Sequence, residues 1–146
     1  MDRGTLQAIW IKRVKGGPMD PVPSAALVPG QGIAGNADQG GERQVTIMEQ
    51  EVWEELMKQV GGALPPSARH ANLMVRGVRL HNSQGNMLRV GSCRIRVHGE
   101  ATPCGRMDEA VEGLRELMSE DWRGGAYGEV IEGGEISVGD PVSWER

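Results

Sequence analysis

The chain has 146 residues with a formal net charge of -4, 38% apolar residues and 22 glycines but no phenylalanine, which predicts one globular domain over residues 1–146, turn-rich and mainly β. The acidic balance argues against nucleic-acid binding as the main activity, because phosphate backbones call for a basic face, and leaves room for an isolated anion pocket. No apolar run approaches the roughly 18 residues of a membrane span, and no secretory leader is recognisable, so a cytoplasmic protein with reduced cysteines is expected.

In chain order, residues 5–14 read as a strand in which Leu6, Ala8 and Trp10 alternate against Ile9 and Ile11. Lys15-Gly16-Gly17-Pro18 breaks it, and Pro21, Pro23 and Pro29 predict irregular chain beyond. The run GQGIAGNADQGG at 30–41 is glycine-rich. It matches neither the dinucleotide fingerprint nor the P-loop, so a loop that approaches a phosphate and a mobile surface loop both stay open. Thr46 followed by Glu49 has the form of a capping box, and Val52, Trp53, Leu56 and Val60 then form a helical stripe ending at Gly61-Gly62. The acidic residues of this helix read as a solvated face rather than a metal site.

Leu64-Pro65-Pro66 leads to Arg69, His70 and Asn72. Strands are then predicted over 73–80, 87–90 and 93–98, with turns at 82–86 and 91–92. In the third of these, Cys93, Ile95 and Val97 share one face, while Arg94, Arg96 and His98 share the other. Cys93 is therefore a core residue, and the basic face is solvated. Met107, Ala110, Val111, Leu114, Leu117 and Met118 form the stripe of a second helix. After the loop at Arg123, residues 127–131 and 135–138 read as a hairpin across Gly133-Gly134, and a last strand runs to Trp144. About seven strands with two flanking helices predict an antiparallel, partly closed β-barrel.

Cys104 stands between Pro103 and Gly105 just before the second helix. A cysteine near a helix start is commonly a small buried hydrophobe. The flanking proline and glycine instead indicate an exposed bend, where the partial positive charge of the helix start favours the thiolate, a nucleophile or soft metal ligand.

The segments ERQVTIM (42–48), ANLMVRGVRL (71–80), LRVGSCRIRV (88–97), TPCGRMDE (102–109) and RGGAYGEVIEGGEISVGDPV (123–142), in that order, resemble a small MOSC domain, the family named for the C-terminal domain of molybdenum cofactor sulfurase. The resemblance implies a β-barrel with one cysteine at the mouth of a cleft, carrying sulfur or ligating molybdenum. Cys104 matches that position and is the expected catalytic residue and metal ligand. Arg43 matches the Arg-x-Val-Thr position, Asn72 the Asn before an apolar strand, and Arg123 the Arg of Arg-Gly-Gly; Arg69 or His70 fills a basic position just before that Asn. These five are the expected cofactor-binding residues. Many relatives carry Gly-Asp-x-His in the first glycine loop, where this chain has Gly35-Asn36-Ala37-Asp38.

Two functions follow from the resemblance. One is an oxidoreductase in which the molybdenum cofactor (molybdopterin), with Cys104 as ligand, reduces N-hydroxylated substrates with electrons from a donor protein. The other is a non-redox carrier in which Cys104 holds persulfide sulfur received from a sulfur-donor protein. The ligand is a pterin cofactor or small molecule in either case, with no nucleic-acid or membrane partner.

Overall fold

The first strand, β1 (Arg3–Lys12), is the one through which the barrel closes. The computed structural model describes residues 3–102, Met107 and residues 112–145. Strands β2 (Met19–Val22), β3 (Ser24–Val28), β4 (Gly32–Ile33) and β5 (Val45–Glu49) follow, then helix α1 (Gln50–Val60) and a 3-10 turn at Pro66–Arg69. After these come β6 (Leu73–Arg76), β7 (Met87–Val90), β8 (Cys93–Glu100), helix α2 (Leu114–Met118), β9 (Ala126–Glu132), β10 (Gly134–Ser137) and β11 (Pro141–Trp144). The large sheet has the order β11-β7-β8-β9-β5-β6-β1-β2, and a further β11–β1 pairing closes seven of its strands into a barrel. Thr5 pairs with Arg76 of β6 and Pro141 of β11, so those two strands occupy opposite edges of β1. Ile9 pairs with Leu73 of β6 and Val22 of β2, which puts β2 beside the far half of β1 on the edge that β11 has left. The expected mainly β barrel with two helices is thus present, and it is closed.

One pair departs from antiparallel order. Strands β5 and β6 run parallel, in register Ile47↔Leu73, and α1 supplies the crossover that a parallel pair requires. The capping box expected at Thr46 does not form. Thr46 lies within β5, and the residue that caps α1 is Glu49, extended and without a side-chain cap bond. Val45, Thr46 and Ile47 are β-branched and suit a strand flanked on both sides, by β6 and β9.

Three further expectations are corrected. The strand alternation in β1 breaks at a bulge between Leu6 and Ala8, so Leu6 joins Ile9 and Ile11 inside the barrel while Trp10 faces the helices. The proline-rich stretch forms β2 and β3; Pro21 is tolerated because β2 is the outermost strand of its sheet. Finally, β9 and β10 are not a hairpin. Both edges of β9 are taken, by β5 and β8, and β10 pairs instead with β3 in a separate three-stranded sheet. Gly133 makes the transfer possible, since a Cβ there would stand 2.4 Å from the Leu27 carbonyl oxygen.

The expected strand over 73–80 is paired only as far as Arg76, although Val78 and Leu80 remain buried. Cys93 is fully buried inside the barrel, and burial pushes its thiol pKa above the ordinary value. On the outer face of β8, Arg94 pairs with Glu145, and His98 Nε2 stands 2.9 Å from Glu129 Oε1. Trp53, Leu56, Met57, Met107, Leu114 and Met118 pack in a second apolar layer between the helices and the barrel. Among the described residues no helix is long and apolar enough to cross a membrane.

Candidate functional site

A cavity of about 570 Å³ opens where the end of β1, the loop before β5 and the chain before β6 meet. Its walls are Lys12 and Lys15 from β1 and the turn after it, Asp38 and Gln39 from the glycine-rich loop, Arg43 and Gln44 leading into β5, and Thr46 within it. Arg69, His70 and Asn72 come from the chain before β6, and Met107 closes the apolar side. Four lining side chains are cationic (Lys12, Lys15, Arg43, Arg69) against one carboxylate, Asp38, so the cavity favours an anion.

Asn72 is the bracket of this wall. Its side chain accepts the Thr46 N–H at 3.1 Å and donates to Trp10 O and Asn36 Oδ1, each at 3.2 Å. Its main chain exchanges bonds with the same strands: Trp10 N–H donates to Asn72 O at 2.7 Å and Asn72 N–H to Thr46 O at 2.8 Å. One buried amide therefore ties β1, β5 and the glycine-rich loop together. Asn36 Oδ1 also accepts the Lys12 N–H at 2.9 Å, and Gln39 Nε2 donates to Ile33 O and Asn36 O at 2.7 and 2.8 Å. The glycine-rich loop is thus pinned through Asn36 and Gln39. It carries Asp38 to within 2.8 Å of Lys12 Nζ.

Arg69 is 6% exposed. Its Nε donates to Gly124 O and its Nη2 to Ala101 O, both at 3.0 Å, so it joins the chain leaving β8 to the chain entering β9. The 3-10 turn that presents it ends at His70, which has a left-handed φ of 61°.

Arg123, expected in one cleft with Arg69, lines a different cavity. Arg69 takes the carbonyl of the next residue, Gly124, whereas the Arg123 guanidinium turns toward the helices and donates to Gln59 Oε1 and Leu117 O, each at 3.4 Å. Cations suit helix C-terminal ends such as these. That second cavity, of about 440 Å³, is also lined by Glu49, Glu51, Glu55 and Arg79. Burial raises the Glu49 pKa above the usual carboxylate range, against a hydrogen bond from the Leu80 N–H that lowers it.

Arg43, Arg69, His70 and Asn72 thus line one cavity, and Arg123 does not. Cys104, with Pro103, Gly105 and Arg106, lies outside the described residues. Among the described residues no group of three His, Cys, Asp or Glu side chains is placed to hold a metal ion. Sequence reasoning missed Lys12, Asp38 and Gln44. The first two meet only through the docking of a loop on a strand end, which leaves no local pattern. Gln44, whose Oε1 accepts the Val130 N–H at 3.0 Å, stands in no motif that marks it as part of the wall.

The MOSC domain profile matches residues 12–143. Among solved structures, the YuaD protein from Bacillus subtilis superposes with a TM-score of 0.81 at 17% identity, over 98% of this chain and 97% of that one. YiiM from Escherichia coli gives 0.76 at 18% identity, over 99% of this chain and 70% of that one. YiiM from Geobacillus stearothermophilus gives 0.73 at 16% identity, over 97% and 75%. A comparison with curated proteins found no match. At these identities the structural likeness speaks to fold, and the profile match, spanning most of the chain, speaks to family: the chain belongs to the MOSC domain family.

Proposed function

We propose that the cationic cavity binds the molybdenum cofactor, with Cys104 as ligand to the metal, and that the protein reduces N-hydroxylated compounds. The observation that carries this reading is the cavity itself: four cations and a pinned polar wall, closed by Met107, which follows Cys104 by three residues.

The donor set fits such a group. A pterin cofactor presents a phosphate, a polar bicyclic ring and a metal that prefers one soft thiolate. Arg43 and Lys15 suit the phosphate, and the Gln44 and Thr46 side chains line the same wall. Arg69 and Asn72 serve by holding the wall in shape. Bound there, the cofactor would supply the two-electron centre that takes oxygen from an N–OH group, leaving N–H and water, with electrons drawn from a donor protein. The chain's own part is to bind, to orient and to keep the site polar on one side and apolar at Met107.

The test is molybdenum and pterin content of protein made in a cofactor-competent host, for the parent and for Cys104→Ser. The expected result is metal in the parent and its loss in the variant at an unchanged melting temperature, since a serine alcohol is a poor ligand for a thiolate-preferring metal. Parent protein without molybdenum, or a variant that keeps it, would overturn the reading. Cyanide-releasable sulfur on Cys104 without metal would replace it with the sulfur-carrier function, served by a sulfur-donor protein.

A further inference from the structure

We infer that Tyr127 is a positioning residue: it holds the Arg43 guanidinium at the cavity mouth as the group that grips a phosphate-type oxyanion. The inference deepens the reading that the cavity takes a phosphate-bearing ligand, and its test uses phosphate itself.

The four cations are not equivalent. Lys12 is paired with Asp38 at 2.8 Å. Arg69 is buried with its Nε and Nη2 committed to the Gly124 and Ala101 carbonyls, so it shapes the wall and cannot swing toward a ligand without breaking both bonds. Lys15 and Arg43 remain. Both are exposed, and neither takes part in an ion pair among the described residues. Of the two, Arg43 has a seat: its Cζ stands 5.4 Å from the centroid of the Tyr127 ring.

The seat follows from strand register. Tyr127 of β9 lies opposite Thr46 of β5, a cavity-lining residue, and residues directly opposite on adjacent strands share a face. Its ring is therefore on the cavity side of the sheet. On its other edge Tyr127 lies opposite Gly99 of β8. A Cβ on Gly99 would come within 3.1 to 3.3 Å of the Tyr127 Oη, Cε2 and Cζ, so the ring rests across a bare Cα that any larger residue would crowd. Arg43, two residues before β5, is then met by an aromatic face already in place.

The choice of an aromatic partner matters chemically. A carboxylate would hold the guanidinium but would also neutralise it and use its N–H groups. A ring face attracts the cation through its quadrupole and leaves the in-plane N–H donors available for bidentate contact with an oxyanion. Arg43 is thereby oriented with its charge unspent.

The test is isothermal titration of the apoprotein with inorganic phosphate, and in parallel with phenyl phosphate, at low ionic strength. Arg43→Ala should weaken phosphate binding about ten-fold or more, the loss of a charge-assisted contact. Tyr127→Leu should weaken it by about three-fold, the scale of an exposed cation–π contact, while Tyr127→Phe, which keeps the ring face, should bind as the parent does. In the Arg43→Ala background Tyr127→Leu should change nothing further. That silence separates positioning from a general structural role, which would weaken binding in both backgrounds. Should Tyr127→Leu not fold, NMR of the parent decides: the Arg43 Nε–H resonance should be ring-current shifted and should move on phosphate addition. Equal loss in Tyr127→Phe and Tyr127→Leu, additivity in the double variant, or phosphate binding that leaves the Arg43 resonance unmoved would overturn the inference. Tighter binding of the ester would mark an organic phosphate as the source, and equal binding free phosphate, each through the same grip. Protein lacking molybdenum would sink the cofactor reading and leave this result untouched, so the two fail separately.

Discussion

The barrel interior and the layer beneath the two helices are both apolar, yet they are built from different residues. The interior is filled by Leu, Ile and Val with Cys93 and Ala126, and among the described residues no methionine is one of its buried members. The helical layer buries Met48, Met57, Met74, Met107 and Met118 with Trp10 and Trp53, and among the described residues no valine or isoleucine is one of its buried members. Adjacent residues divide between the two, as Ile47 and Leu73 go inward while Met48 and Met74 go outward. Stiff β-branched side chains suit a closed pleated wall whose neighbours are set by register. Unbranched, polarizable methionines suit the uneven gap between helix and sheet. The cationic cavity lies at the edge of the methionine side, against Met19 and Met107. The cavity therefore borders the part of the molecule best able to adjust.

The largest effects should come from cutting into the interior. Ile95→Ala removes a fully buried side chain from the closed barrel and should cost about 4 kcal/mol, at the upper end for such truncations because the strands cannot close over the cavity. Met118→Ala, equally buried in the helical layer, should cost about 2 kcal/mol, since short helices and flexible neighbours can settle. Urea unfolding of both variants measures the difference. Equal costs would mean that the two regions pack alike and that the contrast in composition has no mechanical meaning.

Next in size is the polar bracket where the two regions meet. Asn72→Ala strands the buried Thr46 N–H and removes a donor from Trp10 O and Asn36 Oδ1, which should cost about 2 kcal/mol. The loss should also loosen the glycine-rich loop, so hydrogen exchange at Asn36 and Ala37 should accelerate beyond the global change. Uniform acceleration would assign Asn72 to general stability and not to the wall of the cavity.

How much of this could be read beforehand depended on the range of the forces involved. The strand at 87–90 and the turn before Cys93 were legible to the residue, because a turn-flanked run carries its own signal. The assignment of Cys93 to the core was legible too, from simple alternation. The capping pattern at Thr46 and Glu49 misled because the pairing of β5 with β6 and β9 outweighs a local cap. The Gly133-Gly134 signal suggested a hairpin that does not form, because occupancy of both edges of β9 is a property of the whole sheet. In the site, Arg43, Arg69, His70 and Asn72 were picked out by resemblance, and the sequence held no sign that Arg69 would be pinned by carbonyls while Arg43 would rest on Tyr127. Cys104 lies outside the described residues, so its role rests on the proposal above.

A finer test of the contrast exchanges side chains without deleting them. Met118→Leu should cost less than about 1 kcal/mol, because the helical layer can accept a branched residue of similar volume. Ile95→Met should cost more, about 1.5 kcal/mol, because an unbranched chain must find a rotamer within a closed wall. The order of the two midpoints in urea is the readout, and a reversed order would break the argument from stiffness.

The smallest effect is a change of slope with pH at the point where the interior strand passes into the helical layer. Glu49 is the last residue of β5 and caps α1. Burial raises its pKa above the ordinary 4.5, Glu51 adds to that rise, and the Leu80 N–H, Arg79 and His81 oppose it. The folded protein therefore holds the Glu49 proton to higher pH than the unfolded chain does, so its contribution to stability is complete below about pH 4.5 and is lost as pH rises through the folded value. Glu145 acts in the opposite sense and in a different window: Arg94 lowers its pKa, so its contribution is lost only as pH falls below the ordinary value. Between pH 4.5 and 7 the Glu49 contribution is read as the difference between the parent profile and that of a variant without the carboxyl group. Glu49→Gln keeps an acceptor for the Leu80 N–H but has no proton to lose. It should flatten that part of the stability profile and leave the variant at least as stable as the parent at pH 7, by a margin of about 0.5 kcal/mol. Melting temperatures at half-unit intervals would show it, and a variant that loses stability at pH 7 would mean that the charged carboxylate, through Arg79 and His81, is what this junction requires.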